Sequence, residues 1–210
     1  MSFKQILNQN GEVLYDESFF DYDNQVEYFN LLNNKVSWKK DQIKIFGKEI
    51  PIPRYQAWYG DPGTHYKYSN LLLNPIPWVP CLNEIRKIIS KACNEEFNAC
   101  LVNLYETGQD YAAYHADNEK ELGKNPTIAS LSLGGERLFH LKNNHTKNLI
   151  KIVLSPGSLL LMKGELQHHW IHQLPKTKKI VSPRINLTFR MIDPTRVYLQ
   201  YENQKQLWSS

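Results

Sequence analysis

The segment YHADNE sets His115 and Asp117 two residues apart. In an extended chain alternate side chains share a face, so an imidazole and a carboxylate would turn together toward one metal ion. HHWIHQLP then supplies His168, His169 and His172, which lie 51, 52 and 55 residues beyond Asp117. Any of the three can complete a set of two imidazoles and one carboxylate. Gathered on one side of a metal, that set leaves the opposite positions open, which suits a non-haem Fe(II) that activates O2. Zinc accepts the same ligands plus a water, so ligand type alone does not fix the metal. A bare H-x-D is weak evidence, and an isolated histidine is more often a hydrogen-bonded core or surface group than a ligand.

A companion pattern raises its weight. In RINLTFR, Arg184, Asn186, Thr188 and Arg190 alternate with Ile185, Leu187 and Phe189. As a strand, this segment has one apolar face and one face with two guanidiniums, an amide and a hydroxyl. VNLYETG likewise places Asn103 and Tyr105 on a common face. Guanidiniums hold carboxylates in a charge-assisted fork, and burying two of them unpaired is costly. The pattern therefore predicts a dicarboxylate cradle rather than a solvated strand.

The elements that must position these groups are legible in outline. SFFDYDNQVEYFNLLNNKVSW predicts a helix opening around Asp21 to Asp23, and PIPWVPCLNEIRKIISKACNEEF predicts a second, entered through a proline. QIKIFGKEIPIPR predicts a hairpin turning at Gly47. From Cys100 onward, six β-rich runs separated mostly by Gly, Asn or Pro indicate a sandwich or barrel. With 210 residues, 41% of them hydrophobic, a single domain of α+β class is expected. No apolar run approaches the ~20 residues of a membrane span, and the N-terminus does not read as a secretory signal. The odd count of three cysteines reads as reduced thiols of an intracellular protein, cytoplasmic in a bacterium or nuclear in a eukaryote. A net charge of +4 permits a polyanionic partner without demanding one.

VNLYETGQDYAAYHAD, HHWIHQLP and PRINLTFR together resemble the AlkB family of Fe(II)- and 2-oxoglutarate-dependent dioxygenases, which reverse alkylation damage in nucleic acids. IFGKEIPIPRYQAWYGDPG and LNPIPWVPCLNEIRKII resemble the double-stranded-DNA repair members in particular. The resemblance implies a double-stranded β-helix, or jelly-roll, core over residues 100–195. It implies nucleotide-recognition hairpins with a supporting helix over 43–99, between a partly helical extension (1–42) and a C-terminal tail (196–210), all within one compact unit. It also implies a monomer.

By the same resemblance His115, Asp117 and His172 bind iron, with 2-oxoglutarate and O2 as cosubstrates. Arg184 takes the distal carboxylate of 2-oxoglutarate, helped by Tyr105 and by Asn186 or Thr188, while Arg190 and Asn103 serve its metal-chelating end; the reverse split between the two arginines is the alternative. The implied substrate is alkylated DNA, and the implied reaction is oxidative demethylation of 1-methyladenine and 3-methylcytosine; the alternative is the same dioxygenase chemistry on RNA or on a protein or small-molecule substrate. The damaged base would be flipped out against Tyr66 and Tyr68. Phe46, at a turn with Gly47 and Lys48, would wedge into the gap. Arg54, Lys67, Asn118 and Glu119 complete the substrate contacts, and Lys176, Lys178 and Lys179 would touch phosphates. Asn118 stands where the family commonly has a second aspartate, and KNNHTKNLIK is shorter than the basic loop of the duplex-repair members.

Overall fold

The computed structural model describes residues 2–45, 48–68 and 71–196, without the side chains of residues 43–45, 48 and 68. The chain opens with β1 (Lys4–Leu7), β2 (Glu12–Asp16) and α1 (Tyr22–Lys35). Next come the hairpin β3 (Gln42–Ile45) and β4 (Lys48–Pro51), β5 (Tyr55–Gly60), and the hairpin β6 (Tyr66–Tyr68) and β7 (Leu71–Leu73). After α2 (Pro80–Cys93) follow β8 (Ala99–Tyr105), β9 (Ala112–His115), β10 (Ile128–Gly134) and β11 (Arg137–Asn143). The last elements are β12 (Leu149–Leu154), β13 (Leu159–Lys163), the short helix α3 (Leu166–His169), β14 (Trp170–Leu174) and β15 (Arg184–Arg190).

Two antiparallel sheets face each other as a jelly roll. The larger runs β1-β2-β13-β10-β15-β8-β5 and the smaller β12-β11-β14-β9. Strand alternation divides the large sheet between two cores. Its inner face contributes Leu101, Tyr105, Ile128, Leu160 and Met162 to a cluster shared with Phe139, Leu141, Trp170 and Leu174 of the small sheet. Its outer face contributes Val102, Leu131, Leu161, Ile185, Leu187 and Phe189 to a second cluster with Leu32 of α1 and Leu82, Ile85 and Ile89 of α2. The helices therefore cover one face of the sheet and leave the polar face of β15 pointing into the sandwich.

Both helices start where the sequence predicts. The Asp21 carboxylate accepts the Asn24 backbone N–H at 2.9 Å as an N-cap. Pro80 opens α2, where its missing N–H costs nothing. Two features differ from the sequence reading. The N-terminal segment, β1 and β2, joins the large sheet by pairing with β13, so the sheet draws on both halves of the chain. HHWIHQL, the fifth of the six β-rich runs after Cys100, is not one strand: Leu166–His169 is helical and the strand begins at Trp170.

Candidate metal centre and cosubstrate cradle

His115 ends β9 and His172 lies directly across from it on β14, with ring centroids 4.2 Å apart. Asp117 follows two residues later and is buried. One donor atom from each of the three lies within 4.8 Å of the others. His168 and His169, being on α3, turn elsewhere: the His168 ring contacts the Asn125 side chain at 2.9 Å, and His169 lies 3.6 Å from Glu165. Of the three downstream histidines, His172 is the one brought to Asp117.

Each of the three groups is held in a defined state. The His115 Nδ1 donates to the Ala113 carbonyl at 2.7 Å, which leaves the lone pair on Nε2. Burial pushes both imidazoles below their ordinary pKa, His172 to about 3 with the neighbouring His115 adding to the effect, so both are neutral. Burial pushes the Asp117 carboxyl upward, but the Arg190 guanidinium outweighs it and holds the group ionised, below the usual range. Arg190 donates through one Nη to both Asp117 oxygens at 3.0 Å. Gln167, unremarked in the sequence, accepts the Asp117 backbone N–H at 3.0 Å from α3. Two neutral imidazoles and one carboxylate, with His172 Nδ1 buried and unpartnered among the described residues, fit a ferrous ion.

The arginine face of β15 forms one wall of the same cavity. Cross-strand register sets Arg184 opposite Tyr105 and Asn186 opposite Asn103. The Arg184 guanidinium lies 5.4 Å from the Tyr105 ring and donates to Ser132 Oγ at 2.9 Å. Its Nε is buried and unpartnered among the described residues, and burial pulls its pKa down to about 10. Asn186 donates to Ser130 Oγ at 2.8 Å, and Thr188 donates to Asn186 Oδ1 at 3.1 Å. Arg190 closes the metal end; burial opposes its charge, but Asp117 raises its pKa above the usual value. Ser130 and Ser132 were not singled out in the sequence, although their alternation with leucines in ASLSL carried the signal.

The residues expected to meet substrate fall in several places. Arg54 is buried, donates to Asn103 Oδ1 at 2.7 Å, and lines the arginine-walled cavity rather than an outer surface. Tyr66 is fully buried and stacks on Trp58 at 4.7 Å, with Arg190 5.4 Å from its ring. It is packed into the core beside Arg190 and is not an exposed platform. Lys67 is exposed, and its backbone N–H donates to Glu121 at 2.9 Å, tying the β6–β7 hairpin to the segment after Asp117. Asn118 is exposed, whereas Glu119 is half-buried near Tyr66, and burial followed by the charge of Asp117 raises its pKa. Lys176, Lys178 and Lys179 are exposed on the loop leaving β14, with Lys176 Nζ 4.7 Å from the Tyr111 ring. Phe46 and Gly47 lie outside the described residues, as do the side chains of Lys48 and Tyr68.

A jelly roll enclosing two imidazoles and a carboxylate beside a guanidinium-walled cavity defines a non-haem iron oxygenase class. The family model described as 2OG-Fe(II) oxygenase superfamily matches residues 12–190. The chain is 39% identical over 193 residues to the DNA oxidative demethylase ALKBH2 of Bos taurus, covering 88% of this chain and 67% of that protein. It is 32% identical over 213 residues to the protein of the same name from Arabidopsis thaliana, covering 89% and 68%. With the alpha-ketoglutarate-dependent dioxygenase alkB homolog 3 of Homo sapiens it shares 38% identity over 152 residues, 68% of this chain and 52% of that one. The solved structure of OsALKBH1 superposes with a TM-score of 0.63 over 90% of this chain and all of that one; at 19% identity this speaks to the fold. The chain belongs to the AlkB family within the 2OG-Fe(II) oxygenase superfamily, and it is an Fe(II)- and 2-oxoglutarate-dependent dioxygenase.

Proposed function

We propose that the enzyme demethylates N-alkylated bases, 1-methyladenine and 3-methylcytosine, in DNA by direct reversal, releasing formaldehyde, succinate and CO2. The observation that carries the reading is the shared cavity of His115, Asp117, His172, Arg184 and Arg190, in a chain whose relatives bear the name DNA oxidative demethylase. Iron bound by His115, Asp117 and His172, with 2-oxoglutarate and O2, supplies the oxidation of the methyl C–H bond.

The protein's own groups bind and orient. Arg184 receives the far carboxylate of 2-oxoglutarate, with Tyr105 and Ser132 fixing the guanidinium plane. Arg190 keeps Asp117 ionised and places positive charge at the metal end of the cavity. Asn103 is oriented for the cosubstrate by Arg54. A base in a duplex cannot reach this buried centre, so it enters flipped, with Asn118 and Glu119 at the mouth to contact its edge. Lys176, Lys178 and Lys179 contact the phosphates flanking it.

The short turn between β11 and β12, residues 144–148, offers little grip on an opposite strand. That favours single-stranded DNA or RNA as competing substrates. The deciding assay mixes enzyme, Fe(II), ascorbate and 2-oxoglutarate with methylated single-stranded DNA, duplex DNA and RNA in competition. Formaldehyde from a DNA strand supports the reading. Formaldehyde from RNA alone reassigns the substrate, and succinate without any base repair points to a different acceptor.

A further inference from the structure

Arg137, the first residue of β11, is a buried guanidinium that the metal site does not use. It donates to three carbonyls from two separate segments: Thr107 at 3.2 Å, Asp110 at 2.8 Å and Pro175 at 2.8 Å. The Asp110 carboxylate is already occupied in capping its own turn, accepting the backbone N–H groups of Glu106 and Thr107 at 2.8 Å. Arg137 forms none of the ion pairs found among the described residues. Its charge instead serves the backbone.

The two segments it joins are the turn after Tyr105 and the loop of Lys176, Lys178 and Lys179. They also meet directly. Thr177 N–H donates to the Gly108 carbonyl at 2.8 Å, and the Gln109 side chain donates to the Thr177 carbonyl at 3.2 Å. The contact is tight: a Cβ on Gly108 would stand 2.4 Å from the Thr177 oxygen. Arg137 also lies 5.8 Å from the Tyr105 ring, which has Arg184 5.4 Å away. The turn after Tyr105 and the lysine loop are therefore fixed through one guanidinium.

We propose that Arg137 is a positioning residue that holds the lysine loop in its phosphate-binding arrangement, so that nucleic-acid affinity depends on a side chain remote from any phosphate. The inference rests on the nucleic-acid reading above. A planar fork can serve three carbonyls on two segments; an ammonium of equal charge on a shorter reach cannot.

The test compares wild type with Arg137→Lys and, from the opposite side of the contact, Gly108→Ala. Both variants are expected to raise the KM for a methylated oligonucleotide about tenfold, the scale of one lost charge-assisted bond, with kcat within about twofold. Tryptic cleavage after Lys176, Lys178 and Lys179 accelerates in both without nucleic acid present. The double variant is expected to be no weaker than the weaker single one, because both undo one docking. A purely structural role would instead lower melting temperature and active fraction while leaving KM unchanged. An unchanged KM and unchanged cleavage rate would overturn the proposal. A wild type that binds no oligonucleotide would overturn the functional reading, while the cleavage comparison still reports on the clamp.

Discussion

Arg184 and Arg190 line one cavity, and their partners give them opposite consequences. Arg190 faces Asp117, so Arg190→Met strands a buried carboxylate and is expected to cost about 3–5 kcal/mol of stability. Arg184 has no carboxylate partner among the described residues, and its burial is a standing cost. Arg184→Met is therefore expected to leave the melting temperature of the metal-free protein unchanged or higher, while raising the KM for 2-oxoglutarate roughly a hundredfold. Thermal unfolding beside steady-state kinetics checks the pair. Equal destabilisation by both variants would contradict the assignment of Arg184 to a carboxylate that arrives with the cosubstrate.

At the scale of the element, β15 separates stability from chemistry by a period of two. Leu187→Ala opens a cavity against the helical core and is expected to cost about 2–5 kcal/mol in denaturant unfolding, with the KM for 2-oxoglutarate unmoved. The alternation that makes this so was legible in RINLTFR, as was the helix start at Asp21 and the hairpin of β3 and β4. The first strands were harder. Asn10 and Gly11, both at positive φ, form a hairpin signal, but the flanking strands have only four and five residues. The pairing of β2 with β13, some 145 residues on, is a tertiary fact that no local pattern carries. The helix α3 was missed because its four residues continue straight into a strand with histidines in both. Gln167 and Arg137 were missed for a related reason: each acts through backbone groups distant in sequence. Tyr66 shows the converse limit, since an aromatic beside a binding hairpin looks the same in sequence whether it faces the substrate or the core.

Across the whole molecule, charge and thiol chemistry give two further checks. If the lysine loop meets phosphates, Lys178→Ala is expected to weaken oligonucleotide binding to all sequences alike and to reduce the slope of log K against log salt by about one. A slope unchanged by that substitution would remove Lys178 from the interface. The three cysteines are unpaired, with Cys81 and Cys100 buried. Burial raises the Cys93 thiol to about 11, so at pH 8 only about one molecule in a thousand carries its thiolate. Alkylation of native protein is therefore expected to be slow at pH 8 and to rise with pH toward 11, with all three thiols reacting after denaturation. No helix among the described residues is long and apolar enough to cross a membrane.

The proposed chemistry depends on where iron sits, and anomalous scattering at the iron edge locates it directly. Crystals grown without oxygen in Fe(II) and 2-oxoglutarate are predicted to show one strong peak per chain, within bonding distance of His115, Asp117 and His172. The far carboxylate of the diacid is predicted to rest on Arg184. A peak on His168 or His169 instead, or a diacid bound away from Arg184, would contradict it.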